Sequence, residues 1–478
     1  MPLPVISIAQ MREWEQATWA AGQTELNVIC QVGKAVALHA LRLTQAGDRI
    51  LLLAGKGNNG QDALACIEFL TGRHTDIVQV NDPACDIHAL RAALSKNPRM
   101  IIDGLFGIGL NRPLDSAWVA LIEEVNRADA LVMAIDVPSG LNADTGECFG
   151  SAVRADTTLT VGAPKAGLLK MAAAEAVGRL AIIPNVGLTP CPCSSWVHWT
   201  LEQDFIGFPR RRRVATHKGT YGHLAILGGS LGFHGAAVLA ARGAQRAQPG
   251  LITVFTPEEA YNPVASQLQS AMVSPWRGTS VPEGSWTGFL VGPGLAAPGC
   301  RQFLQPAVAN LWKEAAFPVL ADASALDWLP QGKTAEGVCR ILTPHPGEAA
   351  RLLGCPTAEV QGDRLNAIRR LSEKFGGAWV VLKGHHTAIG RDSGNIHINS
   401  SGNPWLAQGG SGDVLAGYLA GWLAQPFLRD EVLTALRFGV WQHGAAADRL
   451  QTTSPGWTIE DLADQLGTII PEAASPLK

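Results

Sequence analysis

Short apolar runs that do not alternate are what most restrict this chain. RILLLAG (49–55), RMIIDG (99–104), ALVMAID (130–136) and TTLTVG (157–162) each end at Gly or Asp, and DIVQV (76–80) runs into Asn-Asp-Pro. Such a run is buried on both faces, which suits a parallel strand covered by helices on either side. Helical candidates such as AWVALIEEVNRAD (117–129) lie between them, and strand–helix alternation implies a three-layer α/β domain. The rhythm restarts after residue 220 with HLAILGG (223–229), LITVFTP (251–257), GFLVGPG (288–294), PVLADA (318–323) and AWVVLKG (378–384). A chain of 478 residues exceeds the length at which a single core keeps growing. The expected fold class is therefore α/β, as two three-layer αβα domains. The segment from Pro184 to Arg213 has no period and is rich in Pro and Ser, so the boundary is set near 205, giving domains 1–205 and 206–478. The run Arg210–Arg213 at its end is read as a solvated linker in preference to a nucleic-acid or phosphate patch.

A net charge of −3 gives no general attraction to nucleic acid or anionic membrane. Nowhere do 18 apolar residues run together, and the N-terminus lacks the basic segment and apolar core of a signal peptide. Of nine cysteines only Cys191 and Cys193 lie close together, and no second pair completes a zinc site. Reduced thiols and a cytoplasmic location are expected, with no nucleic-acid or membrane partner.

Ligands of an open parallel sheet bind at the carboxyl ends of its strands. GKGNNGQD (55–62) stands at such an end, with glycines that let backbone approach a ligand and a helix expected from about Gln61. A helix N-terminus suits a phosphate; a plain Asn-Gly turn fits the same letters. Two further strand ends narrow the choice. IIDGLFGIGLNRP puts Asp103 at a terminus before a second glycine-rich loop, and AIDVPSGLNADTG does the same with Asp136, followed by Ser139. Asn59, Asp103 and Ser139 offer only oxygen, the preference of a hard cation. Asp136, enclosed at the same edge, is placed for general acid/base work. One aspartate alone is adequately explained as a helix cap; three such loops on one edge are not.

These motifs resemble the NAD(P)H-hydrate epimerase domain, a Rossmann-like fold, over roughly residues 10 to 200. The resemblance implies that Asn58, Asn59, Gly60, Gln61 and Asp62, with Gly107, Ile108, Gly109, Leu110, Asn111, Arg112 and Pro113, hold the hydrated nicotinamide nucleotide. Asp136 would contact the same ligand, Asn59, Asp103 and Ser139 would coordinate potassium, and Lys165 in GAPKAG would assist catalysis. Gln61 stands where the family usually has Gly, adding bulk at the phosphate approach, and Cys30 in NVICQVG stands where it has an acid.

In the second half, GNPWLAQGGSGDVLAGYLAGWLAQ (402–425) sets Gly409, Gly410, Ser411 and Gly412 before a long apolar helix. The N–H groups clustered there, with the helix dipole behind them, stabilise negative charge building on a phosphoryl group. Asp413 in the first turn is placed to take a proton from an attacking hydroxyl; a glycine-opened helix with a dipole-favourable Asp would read the same. HKGTYGH, GPG, DASAL, TPHPGE, LKG and GGSGD together resemble the ribokinase-like ADP-dependent NAD(P)H-hydrate dehydratase. That resemblance implies that Ala236, Gly294, His345 and Asp413 contact the hydrated nucleotide. Lys383, Gly384, His385, His386, Thr387 and Gly412 would bind ADP as co-substrate, and Glu348 would hold magnesium. The implied substrates are NADHX and NADPHX, hydrated at C6 of the nicotinamide, and the chain is expected to form a homo-oligomer. Two other readings stay open at this point: a vitamin kinase with an accessory domain, and a first half retained only as a binding module.

Overall fold

The computed structural model describes residues 2–277, 280–335 and 337–471. Two compact units part between Ser195 and Trp196. The boundary expected near 205 therefore falls inside the second unit. Val197–Trp199 is a strand paired in parallel with Ile396–Ile398, and Phe205 is wholly buried against Phe438 and Trp441. A three-residue strand amid Pro and Ser is too short to show a period.

The first unit has six parallel strands in the order His74–Gln79, Arg49–Ala54, Met100–Gly104, Leu131–Ile135, Thr157–Val161, Arg179–Ile183. Ile50, Leu52 and Ile102 enter one core and Leu51, Leu53 and Ile101 the opposite one, the alternation of a sheet covered on both sides. The direction of winding reverses between Arg49–Ala54 and Met100–Gly104, so the loops after these strands flank a topological switch point. The helix expected from Gln61 instead begins at Asn58. Gly60 permits this: a Cβ there would lie 2.0 Å from the Gly55 carbonyl oxygen, so only glycine lets the first turn rest on the end of the strand.

The second unit carries a long sheet in the order Val197–Trp199, Ile396–Ile398, Ala388–Gly390, Trp379–Leu382, Arg340–Leu342, Val319–Ala321, Gly288–Val291, His223–Leu227, Leu251–Thr256, Met272–Pro275. All pairings in this series are parallel except the two made by Ala388–Gly390. Helices His234–Ala247 and Ser411–Leu423 lie in backbone contact: a Cβ on Gly417 would come within 1.8 Å of Ala240 O, and one on Gly243 within 2.2 Å of Val414 O. Much of the Ala and Gly in these segments thus serves helix-to-helix approach. In the basic run, Arg210 pairs with Glu431 and Arg212 lies 3.8 Å over the Tyr221 ring. No helix of the described residues is long and apolar enough to cross a membrane.

Candidate active sites

At the switch point of the first unit is a cavity of about 660 Å³. Of the residues singled out in the sequence, Asn58, Asn59, Asp62, Gly107–Arg112 and Asp136 line it. Gly60, Gln61 and Pro113 do not: Gly60 packs under the helix start, while Gln61 is exposed. The bulk feared at Gln61 therefore points away from the ligand space. Cys30 is likewise exposed and off the cavity, whose neighbouring wall is made by Val28, Ile29 and Val32. Glu25, unrecognised in the sequence, lines the cavity and accepts a hydrogen bond from Asn58 Nδ2.

Asp136 sits at the end of Leu131–Ile135 with φ of 62°, a strained conformation for a non-glycine residue and a common mark of functional sites. Its Oδ1 accepts from Lys165 Nζ at 2.5 Å, Thr160 Oγ1 at 3.2 Å and the Val161 N–H at 3.0 Å. Lys165 is wholly buried and also donates to Thr160 Oγ1 and Val161 O. One carboxylate oxygen is thus fixed by three donors; Oδ2 has no bonded donor among the described residues. Asp103 is fully buried, and all its donors are neutral: Ser139 N at 2.8 Å, Ser139 Oγ at 2.7 Å and Leu105 N at 3.2 Å. Burial raises its pKa despite the Ser139 bonds. Phe106 O, which accepts from Asn59 Nδ2 at 2.7 Å, lies 3.4 Å from Ser139 Oγ. Asn59, Asp103, Ser139 and the Phe106 carbonyl therefore form one oxygen-rich cluster around a buried carboxylate with no cationic side chain bonded to it. That donor set fits a potassium ion.

In the second unit, Gly410 takes φ of 96° and opens helix Ser411–Leu423, leaving the first-turn N–H groups without intrahelical partners. His443, buried in Val432–Thr453, sits behind this turn with Nε2 3.1 Å from Ser411 O. Asp413 has its pKa raised to about 7, first by burial and then by the Asp322 charge, with Lys383 opposing and Glu348 adding to the rise. Lys383 Nζ donates to Asp322 Oδ1 at 2.7 Å, and a Cβ on Gly412 would lie 3.3 Å from that nitrogen. Burial pulls the Lys383 pKa down, but Asp322, Glu348 and Asp413 outweigh it and hold it above the ordinary value. Lys383, Glu348, Gly412 and Asp413 are thus gathered at one strand edge, and Asp322 joins them.

Ala236 and Gly294 also meet: a Cβ on Gly294 would be 3.0 Å from the Ala236 methyl. His345 caps helix Pro346–Leu353, its Nδ1 accepting from Gly347 N at 3.0 Å while its own N–H donates to Glu348 Oε2 at 2.8 Å. Glu348 Oε1 is left 3.6 Å from His345 Nε2. His385 and His386 are not part of this gathering. Their rings lie 3.9 Å apart, and His386 meets the Trp199 ring edge-on at 5.0 Å. Thr387 Oγ1 bonds back to Gly384 O, and Gly384 abuts the Arg364 guanidinium. Asp322 was legible as an aspartate at a strand end; His443, mid-helix, gave no sequence signal.

Comparison with known proteins matches residues 224–472 to the family described as NAD(P)H-hydrate dehydratase and residues 79–167 to the YjeF-related protein N-terminus. The bifunctional NAD(P)H-hydrate repair enzyme Nnr of Coxiella burnetii is 34% identical over 467 residues, covering 92% of this chain and 93% of that one. The enzyme of the same name from Escherichia coli is 33% identical over 451 residues, covering 88% and 84%. The crystal structure of the ADP/ATP-dependent NAD(P)H-hydrate dehydratase from Bacillus subtilis, co-crystallised with ATP and Mg²⁺, superposes with a TM-score of 0.50 at 30% identity, covering 56% of this chain and 95% of that one.

Proposed function

Because the chain belongs to the family of bifunctional NAD(P)H-hydrate repair enzymes, we propose that its two sites act in turn on one damaged nucleotide. The protein is an enzyme of metabolite repair. It epimerises R and S forms of NAD(P)HX and dehydrates the S form to NAD(P)H with ADP, releasing AMP and phosphate. The vitamin-kinase reading loses its ground, since the relatives match across both units. The buried Asp136–Lys165 pair, with one Asp136 oxygen left unbonded at the cavity, speaks against a first half retained only as a binding module.

The observation that carries the dehydratase reading is Asp413 with a pKa of about 7, beside Lys383 and the Gly412 and Asp413 N–H groups, which have no bonded acceptor among the described residues. Asp413 takes the proton from the C6 hydroxyl as its oxygen attacks the terminal phosphoryl of ADP and the bond to AMP breaks. The N–H groups of the turn and the Lys383 ammonium hold the developing charge. This moves Lys383 from an adenine-nucleotide contact to the reacting phosphoryl. The ring nitrogen's electron pair then expels phosphate from C6, and loss of a C5 proton restores the dihydropyridine. Glu348 would offer an oxygen, Oε1, to a magnesium ion, which would supply charge neutralisation at the nucleotide phosphates. In the first unit, Asn59, Asp103, Ser139 and the Phe106 carbonyl would hold potassium.

The test is an R/S mixture of NADHX with magnesium and potassium, followed by the absorbance of regenerated NADH. Complete, nucleotide-dependent conversion is expected. Replacing potassium by sodium should slow only the R fraction. Conversion that stops when the S form is exhausted, even in potassium, would disprove the epimerase half, and none with ADP or ATP would disprove the other.

A further inference from the structure

Helix Ile8–Ala20 turns Met11, Arg12, Glu15 and Trp19 toward the same cavity that Asp136 lines. Met11 and Trp19 supply apolar wall, and Arg12 is exposed. Glu15 is half-buried, and no hydrogen bond or ion pair holds its carboxylate among the described residues; of the other carboxylates lining the cavity, Asp62 is likewise unbonded but stands among the residues expected to hold the nucleotide, while Glu25 accepts from Asn58 and Asp136 from Lys165.

Epimerisation of a C6 hemiaminal needs two proton-handling groups. One takes the hydroxyl proton while the other protonates the ring nitrogen as the ring opens. Asp136 has a single unbonded oxygen, and Lys165 is wholly buried with its ammonium committed to Asp136, Thr160 and Val161. Neither can readily serve as the second group.

We propose, resting on the epimerase reading above, that Glu15 is the second acid/base residue of the first site. Asp136 Oδ2 takes the proton of the C6 hydroxyl as C6–O becomes a carbonyl and the C6–N1 bond breaks. The bonding pair stays on N1, which receives the proton of the Glu15 carboxyl. Rotation about C5–C6 presents the other face of the aldehyde. N1 then attacks that face, its proton returns to Glu15, and Asp136 returns its proton to oxygen. The net change is inversion at C6 alone. Burial, followed by the Asp136 charge, raises the pKa of Glu15, favouring the protonated form that the opening step requires.

Glu15→Gln and Glu15→Asp are compared with the wild-type protein on R-NADHX, with kcat and KM measured separately in both directions. Glu15→Gln should lower the epimerase kcat roughly 100-fold or more, with KM within a fewfold. Glu15→Asp should keep part of the activity, because it retains the proton. Near wild-type kcat in Glu15→Gln overturns the assignment. So does an equal loss in both variants accompanied by a large rise in KM, which marks a structural residue. Failure of the wild-type protein itself to interconvert R and S would instead sink the underlying epimerase reading.

Discussion

Replacing Asp413 with Asn separates what the site does from what it costs the fold. Lifting an aspartyl from its ordinary 3.8 to about 7 means that the folded chain resists ionising it. The sign follows: the unfolded chain releases this proton from about pH 4, the folded one only near 7, so stability falls as pH rises across that window. Above pH 7 the ionised group costs about 4 kcal/mol. Asparagine keeps the shape and the first-turn position but never ionises. The variant should therefore be more stable than wild type at pH 8, by up to about 4 kcal/mol, with the gain shrinking toward pH 4. Over the same range dehydration of S-NADHX should fall about 100- to 10,000-fold, the contribution of a positioned base. Denaturant unfolding at several pH values and steady-state turnover with ADP measure the two quantities. A variant that keeps near-normal turnover, or one that is less stable than wild type at pH 8, would refute the reasoning.

Lys165→Met removes a wholly buried cation and leaves Asp136 without its strongest donor. Epimerisation should be lost and the first unit destabilised by about 3–5 kcal/mol, while dehydration of pure S-NADHX stays intact; unchanged epimerisation would remove Lys165 from the mechanism. Gly417→Val would press a side chain into Ala240 O, 1.8 Å from the Cβ position, and force apart the two helices that frame the nest. Thermal unfolding should show a loss of more than about 3 kcal/mol; a variant as stable as wild type would show that this contact is not tight.

What the sequence made legible was whatever a strand end writes into adjacent residues. The five runs of the first half became parallel strands, and Asp103, Asp136 and the glycine loops came to one edge because such ends converge at a switch point. Asp322 followed the same rule and was legible in principle. The strand Arg340–Leu342 was not: Arg340 opens it buried because the carbonyls of Trp312, Ala315, Phe317 and Cys339 receive its guanidinium, an arrangement assembled from distant positions. Glu15 was missed for a related reason. Its helix carries no motif, and a lone glutamate gains its meaning from a cavity made by other elements.

The two sites share a device and use it differently. Each sets a lysine against an aspartate at the carboxyl edge of a sheet. In the first site the lysine grips the reacting aspartate itself, and Asp136 Oδ1 is held by three donors, so its free oxygen has a fixed direction. In the second the lysine is anchored by a bystander, Asp322, and Asp413, the proposed base, has no bonded donor among the described residues and a pKa of about 7. The difference matches the chemistry. Opening and reclosing a hemiaminal reverses its own proton transfers, so orientation matters most. Deprotonating an alcohol against a phosphoryl group calls for a base whose affinity for the proton is high. Asp322→Asn should accordingly act on Asp413 at a distance: losing the second-largest cause of its raised pKa, and freeing Lys383, both push that pKa downward. The inflection in kcat/KM for dehydration should then move to lower pH by about one unit, and an inflection that stays near 7 or rises would show that Asp413 is not the base being titrated.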